Sequence, residues 1–414
     1  MSSGYWSSPW PAEDGGAQRQ QRATSVVLGA PAVTSRLSIA STMVVRRNPH
    51  EWYLLCHTGG DDAVSWVERF DPESLDILHR SVDLPAGPTW PGGLAVHQNG
   101  DIYVVFGRYA HRLNSDLELV VSQELPRNRP YNSFVVLSDG TLVTKDFGGP
   151  RPGEESEWEA SDCELVALSP DLTILDRHVL PEGSVARLSA DHMDVVVVGV
   201  SSLFTVRWNG EGFTTHRQFP YREAGEGFGW DAVLADGRAW FLNNGAGSQN
   251  FDGSLRGKGV ATAPQALISI DLTDGVTTKF IVNDQPHSLV ANPPAIDSSR
   301  RIAVGYDSGN GVVTAFRYDG TDASVLWTTS LWHACHPIVM PEAGYVVLND
   351  FNFELNRDEV VVLNIETGEE LSRAATESPL QSVIFGAPGD TNDIYLCSFT
   401  HLTRIAWSRE SLGY

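Results

Sequence analysis

Apolar residues in this chain fall in short runs separated by turns, with no sustained helical spacing, and successive runs pair as hairpins. Runs such as EWYLLCH (51–57), DIYVVFG (101–107), DVVVVGV (194–200) and YVVLNDF (345–351) are rich in the β-branched and aromatic residues that suit a pleated, packed surface. Each is preceded by a shorter apolar stretch and followed by two further strand-like runs, for example SWVERFD (65–71), ALISIDL (266–272) and VVVLNIE (360–366). The connecting segments NGEG (209–212), TDGV (273–276), DGTD (319–322) and ETGE (366–369) supply the Asn and Gly that tight hairpins need for positive φ.

This four-run unit recurs, and its first runs begin near Ser41, Gly92, Asn132, Arg187, Asp231, Ser288, Pro337 and Gln381. A period of roughly 40 to 60 residues is that of propeller blades. The pattern predicts an all-β fold: a single β-propeller of eight four-stranded blades. Seven is the alternative, should the first or fourth repeat not form a blade. The eighth repeat ends before a fourth strand, while 23–29, ATSVVLG, is a strand without a hairpin partner. An N-terminal strand that completes the last blade closes the ring and removes an exposed sheet edge. Residues 1–22, rich in Ser, Gly, Gln and Pro, are expected to form a flexible arm, with the propeller domain over 23–414.

In such a ring the turns between the first and second strands share one face, and here they are short. The opposite face carries the long segments 146–162, 243–265 and 349–358, and long ordered loops usually carry function. The loops leading into each blade add Trp90, Asn132, Arg187, Trp230, Asp231, His287, Trp332 and His336 to that face. We therefore place the site at the mouth of the central channel there. Trp90, Trp230 and Trp332 would wall a pocket, with Asn132 and Gln381 as further substrate-binding residues. For catalysis, His336 or His287 would be the base, oriented by Asp307 or Asp350. Asp231 is a further candidate, and Arg187 would polarise an anionic or carbonyl group.

Two metal readings stand beside this one. His333, Cys335 and His336, with His57, His287 and His401 from other blades, are side chains able to hold a transition metal. Asn132, Asp231 and Gln381 each open an innermost strand and offer oxygen ligands for calcium or magnesium. Together these give a candidate set of Asn132, Asp231, His287 and His336 around one divalent ion. No GxSxG elbow, GxGxxG turn or P-loop is present. The balance of 29 Lys and Arg against 52 Asp and Glu, a net charge of −23, argues against nucleic acid or an anionic membrane as partner. Four scattered cysteines without a CxxC pair read as thiols in a reducing compartment. With no apolar leader and no long apolar span in the sequence, a cytoplasmic protein is expected.

Residues 129–147, RPYNSFVVLSDGTLVTKDF, resemble the Arg-Pro-Asn-Asp loop and following Asp-Gly turn of the gluconolactonase and regucalcin-like propellers. That resemblance implies a hydrolase in which Asn132 would ligate a catalytic metal. Ser133 stands where that family carries Asp, and the family has six blades. Residues 360–371, VVVLNIETGEEL, are similar to the hairpins of the eight-bladed quinoprotein-like propellers. With no vicinal Cys pair, that likeness implies the architecture without its quinone. No quinone, nucleotide or haem is expected. The functional expectation is a small-molecule enzyme, a lactone or ester hydrolase or a lyase. The alternative is a non-catalytic propeller that binds a protein or small ligand.

Overall fold

The computed structural model describes residues 4–38, 40–148, 161–383 and 386–408. They form eight antiparallel sheets arranged as the blades of one propeller. Blades 1 to 7 each take four consecutive strands, opening with Ser41–Asn48, Gly93–Val96, Tyr131–Val136, Ser189–Asp191, Val233–Ala235, Ala295–Asp297 and Ile338–Met340. Blade 1 adds a fifth strand, Leu84–Gly87, beside Ala63–Phe70. The second and third strands of each blade are almost wholly buried, because both faces pack against neighbouring blades. Val195, Val197, Leu267 and Ile302, for instance, have no exposed surface. The outermost strands alternate, as in Ile174–Leu180, with one face to the neighbouring blade and one to water.

Blade 8 takes its inner three strands, Gly386–Pro388, Asp393–Cys397 and His401–Trp407, from the C-terminal end of the chain, and its outer strand from the N-terminal region. The closing strand is Pro31–Leu37, paired antiparallel from Pro31 opposite Trp407 to Leu37 opposite His401. Closure is thus as expected, but the strand is not 23–29. PAVTSRL carries little apolar signal because it is the solvent-facing edge of its blade. The more apolar 23–29 runs beside blade 7, where Ala23 N–H donates to the Val339 carbonyl and Val26 packs with Cys335 and Ile338.

The largest departure from expectation lies in residues 4–22. Expected to form a flexible arm, these residues are instead laid across the channel from the short-turn face. Their backbone pairs with the inner edges of blades 2, 4, 5 and 7. Val96 N–H donates to Pro11 O at 2.7 Å, Ala190 N–H to Ala17 O at 2.8 Å, Leu234 N–H to Gln18 O and Val339 N–H to Gln21 O, both at 2.9 Å. Those inner edges would otherwise leave buried donors unmet. Asp14, Arg19 and Gln21 hold left-handed backbone, with φ of 55°, 54° and 53°, although none is glycine. Such conformations persist where surrounding contacts fix them. Trp10 is buried among Met43, Trp52 and Val96 of blades 1 and 2. Trp10→Ala is expected to destabilise the protein by about 3–5 kcal/mol, measured by guanidinium unfolding. A loss below about 1 kcal/mol would mean that the segment is not part of the folded unit.

All four cysteines are unpaired and buried. Cys56 and Cys397 sit on adjoining blades, and burial raises both thiols above their usual range. Among the described residues no helix is long and apolar enough to cross a membrane.

Candidate functional site

Opposite the N-terminal segment, the loops leading into the blades surround a cavity of about 250 Å³ at the channel mouth. Its walls come from almost every blade. Blades 2 to 5 contribute Trp90, Pro91, Asn132, Val185, Arg187 and Trp230. Blades 6 to 8 contribute Ala291, Asn292, His336, Val383 and Phe399. The segment 243–265, expected to be a functional loop, contributes Ser248, Gln249, Phe251 and Leu255. The expected loop 146–162 falls mostly outside the described residues. The expected loop 349–358 is mostly strand, since Tyr345–Asn352 and Arg357–Asn364 pair along their whole length.

Five of the residues singled out in the sequence line this one cavity: Trp90, Asn132, Arg187, Trp230 and His336. Beneath it lies a charged layer that the sequence reading did not anticipate. His336 Nδ1 meets Asp14 Oδ1 at 2.8 Å, both side chains being about 1% exposed. Arg19 bridges Glu13 and Asp14, with Asp14 Oδ2 at 2.8 Å, and its Nε donates to Leu188 O at 2.6 Å. Burial on its own would raise the Asp14 carboxyl. The charge and hydrogen bond of His336, with Arg19 behind them, outweigh burial and hold it below the usual range. Asp231 goes the other way: burial raises it, against the pull of Arg19, Arg187 and His336.

Arg187 lines the cavity, but its donors serve the protein. Nη1 donates to Asn132 O at 2.7 Å, to Gly92 O at 3.1 Å and to Glu13 at 3.2 Å, and Nη2 to Pro91 O at 3.0 Å. Its backbone N–H donates to Asp231 Oδ1 at 2.6 Å. Asn132 is similarly engaged, with Nδ2 donating to Val185 O at 2.9 Å and Oδ1 facing the buried Lys145 ammonium at 3.4 Å. Burial lowers Lys145 to about 8.

Other expected site residues lie elsewhere, for identifiable reasons. His287 is exposed and has left-handed backbone, φ 62°. The run from Ser288 looked like a strand, but Pro293 and Pro294 cannot donate to a ladder, so blade 6 begins at Ala295. The blade 6 residues at the mouth are therefore Ala291 and Asn292. Asp307 is buried in its own loop, accepting from Leu289 N–H and Gly309 N–H, both at 3.0 Å, and from the Asn283 amide at 2.8 Å. Asp350 accepts from Trp332 N–H and from Arg373, both at 2.8 Å. Neither orients His336; Asp14 does. Trp332 stands edge-on to Phe353 under the Arg256 guanidinium, outside the cavity lining. Gln381 is buried behind the wall, accepting from Leu255 N–H at 2.7 Å and donating to Trp332 O at 2.8 Å. It holds the 243–265 loop in place.

The four residues expected around a divalent ion do not converge. Asn132 Oδ1 faces an ammonium, Asp231 Oδ1 accepts a backbone N–H, and His287 is at the surface. Nor do the histidines gather on the axis. His57 packs on Phe106 with Nδ1 at 2.8 Å from Thr58 O, and His333 packs on Tyr306. His401 Nδ1 meets Thr400 Oγ1 at 2.9 Å. Burial lowers His333 to about 3. Among the described residues, Glu13, Asp14 and His336 are a group whose potential ligand atoms lie within 4.8 Å of one another. There the Arg19 guanidinium already lies between the two carboxylates and meets their charge.

No family model matches the sequence, and no curated protein matches it in sequence. In structure the chain is similar to BamB from Moraxella catarrhalis, at 13% identity and a TM-score of 0.56, covering 92% of this chain and 100% of that one. It is also similar to the Dos1 propeller, at 10% identity and a TM-score of 0.59, covering 91% and 95%. A third likeness is to Sqt1 from Chaetomium thermophilum, at 10% identity and a TM-score of 0.57, covering 93% and 100%. None of these supports the gluconolactonase resemblance. The likeness is one of architecture, and it agrees with the sheet topology: the chain is an eight-bladed β-propeller.

Proposed function

We propose that this propeller binds a small organic molecule in the channel-mouth cavity and acts on it by acid–base chemistry. The observation that carries this reading is the His336–Asp14 pair under an aromatic-walled cavity. A carboxylate that accepts from Nδ1–H fixes the imidazole ring and tautomer and favours the imidazolium that forms when the base takes a proton. Proton exchange with a bound molecule then falls to Nε2. Hydrolysis of a lactone or ester through a water activated by His336 needs only that base, and so does proton abstraction in a lyase reaction. Asp14 takes the role given in the sequence reading to Asp307 or Asp350. Arg187 is a positioning residue that ties the mouths of blades 2, 3 and 4 to the N-terminal segment.

The same engagement of Arg187 and Asn132 with protein partners favours a second reading, a non-catalytic ligand-binding propeller. Screening the protein against a panel of lactones, esters and elimination substrates separates the two. His336→Asn keeps a donor for Asp14 and is expected to lower turnover 10²–10⁴-fold with little change in thermal stability. If turnover survives in His336→Asn, the base lies elsewhere. Ligand binding without turnover across the panel favours the second reading.

A further inference from the structure

Resting on the reading of this cavity as the site, we propose that its ligand is an uncharged, ring-bearing molecule. The walls supply the ring selectivity. Trp90 stacks on Phe147 with centroids 4.2 Å apart and planes 21° apart, which holds its indole in place. Trp230 is braced by Phe228 at 5.9 Å and 28°. Phe251 and Phe399 meet across the mouth at 6.1 Å. Four braced aromatic side chains around one small cavity present flat faces and edges at little entropic cost, which suits a planar ring.

The charge state of the ligand follows from what surrounds it. Arg187 is the one cationic side chain in the described lining apart from the titratable His336, and it is already met by Glu13 and three carbonyls. An anionic ligand would lose its hydration while facing a committed guanidinium and an imidazole already paired with Asp14, above a layer where Glu13, Asp14 and Asp231 stand against Arg19 and Arg187. A cationic ligand fares no better, because no carboxylate is among the described lining residues and Arg187 repels it. The amides add only neutral polar contact: both ends of Asn132 are engaged, Asn292 Nδ2 donates to the Ala334 and Val383 carbonyls, and Gln249 Oε1 accepts from Gly247 N–H. A neutral ring compound asks only for apolar contact and one or two weak polar contacts, which is what the cavity offers.

The test uses three molecules of nearly one shape: 1-naphthamide, 1-naphthoate and 1-naphthamidinium, titrated calorimetrically into the full-length protein at neutral pH. The neutral amide is expected to bind at least tenfold more tightly than either ion, and Trp90→Ala is expected to weaken it at least tenfold. His336→Asn still offers a donor to Asp14 and adds no charge to the cavity, so the amide is expected to keep its lead over both ions. The proposal is overturned if either ion binds as tightly as the amide, if none of the three binds, or if Trp90→Ala has no effect. Loss of turnover in His336→Asn with this order intact supports both readings. The order intact without any turnover removes the acid–base reading alone.

Discussion

Replacing Arg19 with methionine should cost about 3–5 kcal/mol of stability, making it one of the two substitutions with the largest expected effects. Arg19 is 2% exposed and meets Glu13, Asp14 and the Leu188 carbonyl. Methionine fills similar space but leaves two buried carboxylates facing each other, with only Arg187 and His336 to answer them. Removing one partner of a buried ionic set is far more damaging than replacing the whole set, because the remaining charge has already lost its water. Arg19→Lys should recover only part of the loss, since an ammonium cannot present the planar fork that serves two carboxylates and a carbonyl at once. Guanidinium unfolding of the three proteins measures this. If Arg19→Met loses less than about 1 kcal/mol, the charged layer contributes nothing to the fold.

The second large effect is one of pH. Asp358 is fully buried, and burial raises its carboxyl to about 7, against hydrogen bonds from Ser382 and Asn349. Asn349 Nδ2 donates to it at 3.0 Å and Ser382 N–H at 3.0 Å. The folded chain therefore holds a proton between about pH 4 and pH 7 that the unfolded chain has released. Folded-state affinity for the proton is the higher, so this group's contribution is fully present below pH 4. It is lost as pH rises, by up to about 1.4 kcal/mol per pH unit, and levels off above pH 7. In Asp358→Asn this dependence disappears. The stability of the variant relative to the parent should rise by roughly 2–3 kcal/mol from pH 5 to pH 8, read from urea unfolding at both pH values. Comparison at matched pH cancels groups such as Asp14, whose lowered carboxyl makes stability fall in acid instead. A gap that does not change with pH refutes the assignment.

How much of this was legible in the sequence depends on which physical term dominates each element. The second and third strands of each blade are buried on both faces, so they read as apolar runs, and the Asn-Gly and Asp-Gly hairpins mark their ends. Blade number and closure of the ring by an N-terminal strand follow from those. The innermost strands were harder to place. Ser189–Asp191, Val233–Ala235 and Ala295–Asp297 are three residues each, too short to alternate, so only flanking residues mark their starts. In blade 6 the proline pair moved the start and with it the identity of the mouth residue, from His287 to Asn292. Asp307, Asp350 and Gln381 are polar residues in plausible places whose hydrogen bonds fasten neighbouring loops and strands and leave none for a ligand at the channel mouth. The N-terminal segment escapes any hydrophobicity pattern because its buried residues are polar: Glu13, Asp14 and Arg19 meet one another and the blades, and Gln21 is held through its backbone by Asp14 and Val339. Tyr5, Trp6 and Trp10 were the available signal: three aromatic residues within the first ten are out of keeping with a disordered tail.

Joining the two ends of the chain in one ring has a kinetic meaning. His336 finds its carboxylate 322 positions away, and Ser35 meets Thr403 across 368. The first contact waits for blade 7 and the second for blade 8, so the N-terminal segment, held at first only to the early blades, cannot finish plugging the channel until most of the chain has been made. Loop closure over such separations is slow, and partly assembled rings expose strand edges that favour wrong partners. Once closed, the same arrangement works in reverse. Release of blade 8 must break the Pro31–Leu37 pairing, and withdrawal of the plug must expose its charges together, so escape from the native state passes through a high barrier. The protein's lifetime is then set by the rate of that opening more than by the equilibrium between its folded and unfolded forms.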